Sequence, residues 1–168
     1  MEKFLFGGIA ALSLLACTEA EPASDGLVAI EGSSPSALIQ DRFKIVESSL
    51  GHSGTLSSLL EALDRRDLMV FAMIDHAASA ENIEMELDAS TLVIFGNPRG
   101  GTPLLQAEPL LGAELPLRAL IYQEGDQVYL AITGIDYLER QYGLSDHRNV
   151  TENLREMVSA IAVEATQL

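Results

Sequence analysis

Two continuous apolar runs constrain the fold most. The first covers Leu68–Asp75 and the second covers Thr91–Phe95, and both have the length of a β-strand. An apolar run without alternation is typical of a strand buried on both faces, so we expect both strands near the centre of a sheet. The segment between them, His76–Leu87, is rich in alanine and glutamate and predicts a short helix.

The rest of the chain carries patterns of short strands and amphipathic helices. An alternating strand is predicted at Phe43–Ser48. A hairpin around a glycine-containing turn is predicted from Leu115–Tyr122 and Val128–Thr133. Helices are predicted around Leu56–Leu63, over Ile135–Tyr142 and over Val150–Thr166. Because strands and helices do not alternate strictly, the predicted class is α+β. We expect one compact domain with a mostly antiparallel sheet and helices packed on one face. The predicted core around the leucine helix is Phe71, Ile74, Leu92, Ile94, Leu117 and Ile121.

A glycine-rich loop follows the second apolar run. We take as candidate ligand-binding residues Gly96, Asn97, Arg99, Gly100, Gly101 and Thr102. Their backbone N–H groups and the Arg99 guanidinium suit an anion near a helix N-terminus. The favoured interpretation is a strand-to-helix corner that can also shape a pocket. In this corner Gly96 and Gly101 supply unusual dihedrals, and Thr102 caps a helix with Pro103 as its first residue. No lysine follows the glycines, which excludes a P-loop.

Asp75 and His76 form the second candidate site, because a polar pair ends an otherwise apolar strand. Neutral imidazole is the commonest protein ligand for metals, and haem needs only one or two axial ligands beside an apolar pocket. His76 is therefore a candidate haem ligand, an acid–base group, or an orienting residue with its hydrogen bonds satisfied. Asp75 suits the N-cap of the next helix. We expect the glycine loop to shape a pocket beside His76.

The N-terminus has the pattern of a bacterial lipoprotein. Residues 1–16 predict a signal peptide, whose apolar stretch of about a dozen residues is too short to span a bilayer. Leu14–Cys17 resembles a lipobox, and Cys17 is the only cysteine of the chain. We expect Cys17 to be lipidated, with residues 17–37 as a flexible tether, residues 38–148 as the α+β domain and residues 149–168 as an amphipathic helix packing on or near it.

The predicted location follows from this anchor and from the charge. A lipidated Cys17 followed by Thr18 rather than aspartate predicts the inner leaflet of the outer membrane, facing the periplasm. The expected partner is therefore the lipid bilayer. A net charge of −15 makes binding to nucleic acid unfavourable.

Several motifs resemble those of one bacterial family. The stretches that carry the resemblance contain "IDHA" and "FGNP…GTPL" and are Val70–Ala78, Leu92–Pro98, Gly101–Leu104, Leu115–Leu117 and Tyr137–Leu138. They resemble domain-of-unknown-function family 302 over roughly residues 42–144. The resemblance implies a small α+β domain that tends to form a homodimer, without an assigned reaction. The chain departs from the family pattern at Ala89, where proline is usual, and at Tyr142, where histidine is usual.

The expected function is a lipid-anchored envelope module that binds a small ligand, with haem held through His76 as the most concrete case. Two alternatives stay open at this point: an enzyme that uses His76 as acid or base, and a structural or interaction protein of the cell envelope. The sequence contains no recognisable nucleophile motif, which favours binding over catalysis.

Overall fold

The structure, a computed structural model, describes residues 41–167. The predicted signal peptide, Cys17 and the tether lie outside the described residues. Five antiparallel strands form one sheet: β1 (Phe43–Ser48), β2 (Met69–Asp75), β3 (Ser90–Gly96), β4 (Leu117–Glu124) and β5 (Gln127–Thr133). Across the sheet they lie in the order β1-β5-β4-β3-β2. The predicted α+β class, with its antiparallel sheet, is confirmed.

Helices connect and cover the strands. They are α1 (His52–Asp64), α2 (His76–Glu81), α3 (Pro98–Ala107), α4 (Ile135–Tyr142) and α5 (Arg148–Thr166), with 3-10 turns at Pro109–Ala113 and Leu144–His147. The long helices α1 and α5 pack on each other and on one face of the sheet. The core between them and the sheet includes Leu59, Ala62 and Leu63 of α1 and Ile161, Ala162 and Ala165 of α5, all buried.

The strands β3 and β4 alternate between this core and the opposite sheet face. Along β3, Val93 and Phe95 are fully buried, whereas Leu92 and Ile94 are only half-buried. Successive side chains of a strand point to opposite faces, so Leu92 and Ile94 lie on the face that α1 and α5 leave uncovered. The prediction that these two residues belong to the core is wrong. The predicted core positions in β4, Leu117 and Ile121, are confirmed.

The strand β2 lies at the edge of the sheet and not at its centre. It pairs only with β3, and a bulge at Phe71 interrupts the register. Its large apolar side chains are between 40% and 53% exposed: Met69, Val70, Phe71, Met73 and Ile74. The predictions that this strand is buried on both faces and that Phe71 and Ile74 are core residues are therefore wrong for one chain. Within one chain, nothing among the described residues covers the outer side of β2.

Candidate functional site

A cavity of about 430 Å³ lies at the end of the sheet where β3 runs into α3. The segment before β4 and the helix α5 close it from the other sides. Its wall is mainly apolar, formed by Leu68, Phe71, Leu104, Leu105, Leu115, Pro116, Leu117, Leu154 and Met157. Three polar side chains reach it, those of Arg66, Asn97 and Thr102. A cleft of this volume and character is typical of sites for small organic molecules.

The predicted glycine loop forms one wall of this cavity, but it is a helix and not a loop. Asn97 caps α3, since its Oδ1 accepts the Arg99 N–H at 2.9 Å. Pro98 is the first helical residue, where its missing N–H is not needed. The predicted start at Pro103, with Thr102 as the cap, is wrong, because Asn97 and Pro98 supply the same chemistry one turn earlier.

The N-terminus of α3 does not offer a cradle of free donors. The N–H groups of Gly100 and Gly101 both donate to the Asn97 carbonyl oxygen at 3.0 Å, and the Arg99 N–H donates to the Asn97 side chain. A helix N-terminus binds anions when its N–H groups are unpaired, and three of these are paired here. The strand-to-helix corner expected for this segment therefore describes the structure, but the expected unusual dihedrals are wrong, because neither Gly96 nor Gly101 has a positive φ.

The two helical glycines leave the cavity wall without side chains. Neither Gly100 nor Gly101 has a positive φ; among the described glycines only Gly125 and Gly143 do. A Cβ added at Gly100 would meet no atom within 4 Å, and one added at Gly101 would meet only Leu115 Cδ1, at 3.9 Å. The backbone thus requires glycine at neither position, although glycine costs about 0.5–1 kcal/mol relative to alanine in a helix.

Among residues 41–167, Arg66 is the only charged side chain in the cavity wall, and its charge is already paired. It donates to Glu164 at 2.5 and 3.0 Å and to the Ala62 carbonyl oxygen at 2.9 Å. The hydrogen bonds from Arg66 and then Arg65 lower the pKa of Glu164 to about 2. The pair ties α1 to α5 beside the cavity. Sequence reasoning missed Arg66, as well as Leu154 and Met157, because no local motif marks them.

His76 and Asp75 lie at the opposite end of β2 from the cavity. Met69 pairs with Gly96, whereas Asp75 pairs with Thr91, so about 20 Å of strand separates His76 from the glycines. The expectation of one pocket shared by His76 and the glycine loop is wrong within one chain. Asp75 caps α2, as predicted, since its Oδ1 accepts the Ala78 N–H at 2.9 Å.

Among the residues that the structure describes, the cavity wall contains no histidine, and Met157 is the one side chain in it of a type that ligates haem iron. His76 itself is the first residue of α2 and is half-buried. Across residues 41–167, no group of three histidine, cysteine, aspartate or glutamate side chains is placed to hold a metal ion. The predicted haem ligand and the apolar pocket are thus both present, but apart.

A second polar cluster, which sequence reasoning also missed, surrounds Glu114. This carboxylate is only 8% exposed and accepts two hydrogen bonds from Arg42, at 2.8 and 3.0 Å, with Arg118 at 3.5 Å. Burial raises the pKa of Tyr142, and the Glu114 charge raises it further. Tyr142 occupies the position where a histidine was expected from the family pattern. Arg42 and Glu114 are 72 residues apart, so no local pattern predicts their contact.

Comparison with known families and structures agrees with this fold. A family model described as "Domain of unknown function DUF302" matches residues 44–161. The match therefore extends beyond residue 144 and into α5, further than the sequence motifs indicated. The crystal structure of an uncharacterized conserved DUF302 protein from Bacillus stearothermophilus superposes with a TM-score of 0.64 at 16% identity, covering 71% of this chain and 94% of that one.

Curated relatives match part of the chain. Proteins named "Fluoride-specific ion channel FluC 1" from Brucella suis and from Brucella abortus are each 30% identical over 109 residues, or 64% of this chain. The match covers 43% and 40% of their lengths, so the chain spans about two fifths of these relatives. Within residues 41–167, no helix combines the length and apolar character needed to cross a bilayer.

Proposed function

The chain belongs to the DUF302 family, and we propose that its domain binds a small apolar molecule in the cavity beside α3. The observation that carries this proposal is the cavity itself: about 430 Å³, with a wall that is mostly leucine, proline, phenylalanine and methionine. Transfer of apolar surface from water into such a space is favourable by roughly 25 cal/mol per Å². The helical glycines support the proposal, because alanine at either position would narrow the space.

The ligand proposed for this cavity is uncharged. Arg66 is neutralised by Glu164, and the N–H groups at the start of α3 are occupied within the helix. A net charge of −15 also repels anions at long range. An apolar molecule with at most a hydroxyl, a carbonyl or an aromatic amine group meets these conditions. The Thr102 side chain lines the cavity and can hydrogen-bond such a group.

The proposed setting is the bacterial envelope, with Cys17 lipidated and residues 17–37 as the tether. The lipobox pattern and the lone cysteine support it. An apolar ligand partitions into membranes, so a binding domain held at a membrane surface meets it at a raised local concentration. The relatives from Brucella bear the name of an ion channel; conduction is not part of this proposal.

The test uses the neutral fluorophore N-phenylnaphthylamine, which brightens in apolar surroundings. Gly101→Leu places a side chain in the cavity, whereas Gln106→Leu, on the same helix, adds the same side chain to an exposed position outside the wall. We expect Gly101→Leu to weaken binding about tenfold or more, because the added side chain occupies space that the ligand needs, and such overpacking costs about 1–3 kcal/mol in the complex. Gln106→Leu should bind like the parent. Equal affinities for the parent and Gly101→Leu would refute the proposal.

The hypothesis that the protein binds haem through His76 is tested by a separate measurement. Titration with haem should give a Soret band that changes in His76→Ala if this histidine is an axial ligand. Within one chain His76 lies about 20 Å from the glycines of the cavity, so haem bound in the cavity should give the same Soret band in His76→Ala as in the parent. A catalytic role is not proposed for His76, because its neighbour Asp75 is occupied in capping α2.

A further inference from the structure

The bulge in β2 sets Phe71 apart from the rest of the strand. Val70 pairs with Phe95, and Ala72 pairs with Ile94, the preceding residue of β3. Phe71 is therefore an extra residue without a partner in β3. Bulges re-aim side chains and are common next to functional sites. The Phe71 side chain lines the cavity and is 48% exposed, so it lies at the mouth of the cavity and not in its depth.

Phe71 is also the only aromatic side chain in the cavity wall among residues 41–167. Its Cε2 atom lies 3.8 Å from the position that a Cβ at Gly96 would take, and Pro116 Cβ lies 3.6 Å from the same position. Glycine at position 96 therefore keeps a small space open between the Phe71 ring and Pro116. A side chain larger than that of alanine there would displace the ring from the mouth.

We infer that the cavity selects a planar aromatic molecule over a saturated one of the same carbon skeleton, and that Phe71 is the main residue that sets this preference. This inference rests on the proposed ligand-binding function and narrows its ligand class. Two aromatic rings attract each other beyond the burial of their area, which corresponds to about two- to tenfold in affinity for each pair. A saturated ring gains the burial without this attraction.

Arg66 gives the wall a second group that favours an aromatic ligand. Its N–H groups donate to Glu164 and to the Ala62 carbonyl oxygen. The N–H groups of a guanidinium lie in its plane, so these bonds leave its two faces open. Such a face attracts an aromatic ring by stacking and by the cation–π interaction. The pairing with Glu164, which makes Arg66 unsuited to an anion, therefore leaves it suited to an aromatic ring.

Met157 of α5 is a third group of this kind. It is half-buried and lines the cavity. A thioether sulfur makes favourable contacts with the edge of an aromatic ring at about 5 Å, and leucine offers no such contact. Phe71, Arg66 and Met157 come from three different elements of the chain, and each prefers an aromatic ring to a saturated one.

The wall formed by α3 favours a flat molecule for a separate reason. Gly100 and Gly101 line the cavity without side chains, and a Cβ added at Gly100 would meet no atom within 4 Å. A flat ring can lie against such a backbone surface, whereas hydrogens project from both faces of a puckered ring and hold it away. Dispersion attraction falls steeply with distance, so the flat ring gains more from this wall.

The test compares 1-naphthol with decahydro-1-naphthol. The two compounds share one carbon skeleton and one hydroxyl group, and they differ in planarity and aromaticity. Isothermal titration calorimetry of the purified protein gives the two dissociation constants. We expect the parent to bind 1-naphthol about tenfold more tightly or better. Because the two hydroxyl groups differ in acidity, the decisive quantity is the change in the ratio of the two constants between the parent and each variant.

Substitutions in the wall should change this ratio in a defined way. Phe71→Leu should reduce the preference for 1-naphthol about two- to tenfold, whereas Phe71→Tyr, which keeps the ring, should retain it. Met157→Leu conserves the volume of the side chain and should also reduce the preference. Met73→Leu is the matched control, because Met73 is 50% exposed on the same strand and lies outside the cavity wall. Its ratio should equal that of the parent.

The outcomes separate this inference from the function on which it rests. Equal binding of the two naphthols by the parent would overturn the inference, and so would an unchanged ratio in both Phe71→Leu and Met157→Leu. In either case, binding of N-phenylnaphthylamine that is weakened by Gly101→Leu would leave the cavity function intact. A parent that binds neither N-phenylnaphthylamine nor either naphthol would refute the cavity function itself.

Discussion

Replacing the two glycines of α3 by alanine should stabilise the protein. Gly100 and Gly101 are the third and fourth residues of α3, and both have helical backbone angles without a positive φ. Alanine is more favourable than glycine in a helix by about 0.5–1 kcal/mol, because its backbone loses less conformational entropy on folding. The added Cβ atoms meet nothing at Gly100 and only Leu115 Cδ1, at 3.9 Å, at Gly101. We therefore expect a gain of about 1–2 kcal/mol for the double variant.

Urea unfolding followed by circular dichroism measures this gain. For a domain of this size, 1 kcal/mol corresponds to about 2–8 °C in the melting temperature, so a thermal scan should agree. The slope of unfolding against urea should not change, since the same surface is exposed on unfolding. Gly143→Ala is the opposite control, because Gly143 has φ of +62° at the end of α4 and alanine is strained there.

A loss of stability in Gly100→Ala or Gly101→Ala would refute this reasoning. It would show that the segment needs a backbone conformation that only glycine adopts, as a ligand cradle or a tight loop would. A gain in stability that comes with weaker probe binding would show that the glycines are present for the cavity and not for the backbone.

Three further predictions concern the core, the ion pair beside the cavity and the N-terminal cysteine. Leu59→Ala should lower the free energy of unfolding by about 2–5 kcal/mol, because Leu59 is fully buried. Leu60→Ala should lower it clearly less, because Leu60 is only half-buried. Urea unfolding of both variants measures the difference. The pKa of Glu164, about 2 in the folded protein and about 4.3 unfolded, makes its pair with Arg66 stabilising at neutral pH. That stabilisation should fade as pH falls from about 4.5 to 2, so Glu164→Gln should approach the parent's stability only in acid. Cys17→Ser should release the protein from the membrane fraction if Cys17 carries the anchor, and continued membrane partitioning would contradict it.

Much of the fold follows from local patterns. The hairpin around Gly125 and the helix Ile135–Tyr142, ended by Gly143, lie where the sequence predicts them. Both depend on interactions between near neighbours, namely a turn that needs positive φ and a left-handed C-cap. The start of α3 was predicted one turn late because two segments carried the same cap-and-proline signal, and the first of them, at Asn97, forms the cap.

The site depends on contacts that no local pattern records. Arg66, Leu154 and Met157 reach the cavity only because α1 and α5 pack side by side, nearly a hundred residues apart in the chain. The glycines were found from the sequence because a cluster of them is unusual wherever it occurs. The unusual dihedrals expected at Gly96 and Gly101 are absent, because a cluster of glycines is compatible both with a loop and with a helix that faces an empty space.

The run Leu68–Asp75 shows how one pattern serves two kinds of burial. A continuous apolar strand predicts that both faces are buried and that both edges pair with other strands. Within its own chain, however, β2 pairs only with β3, and its large side chains are exposed. Selection acts on the sequence in its assembled state, so the apolar residues that an interface buries look like core residues in a single sequence.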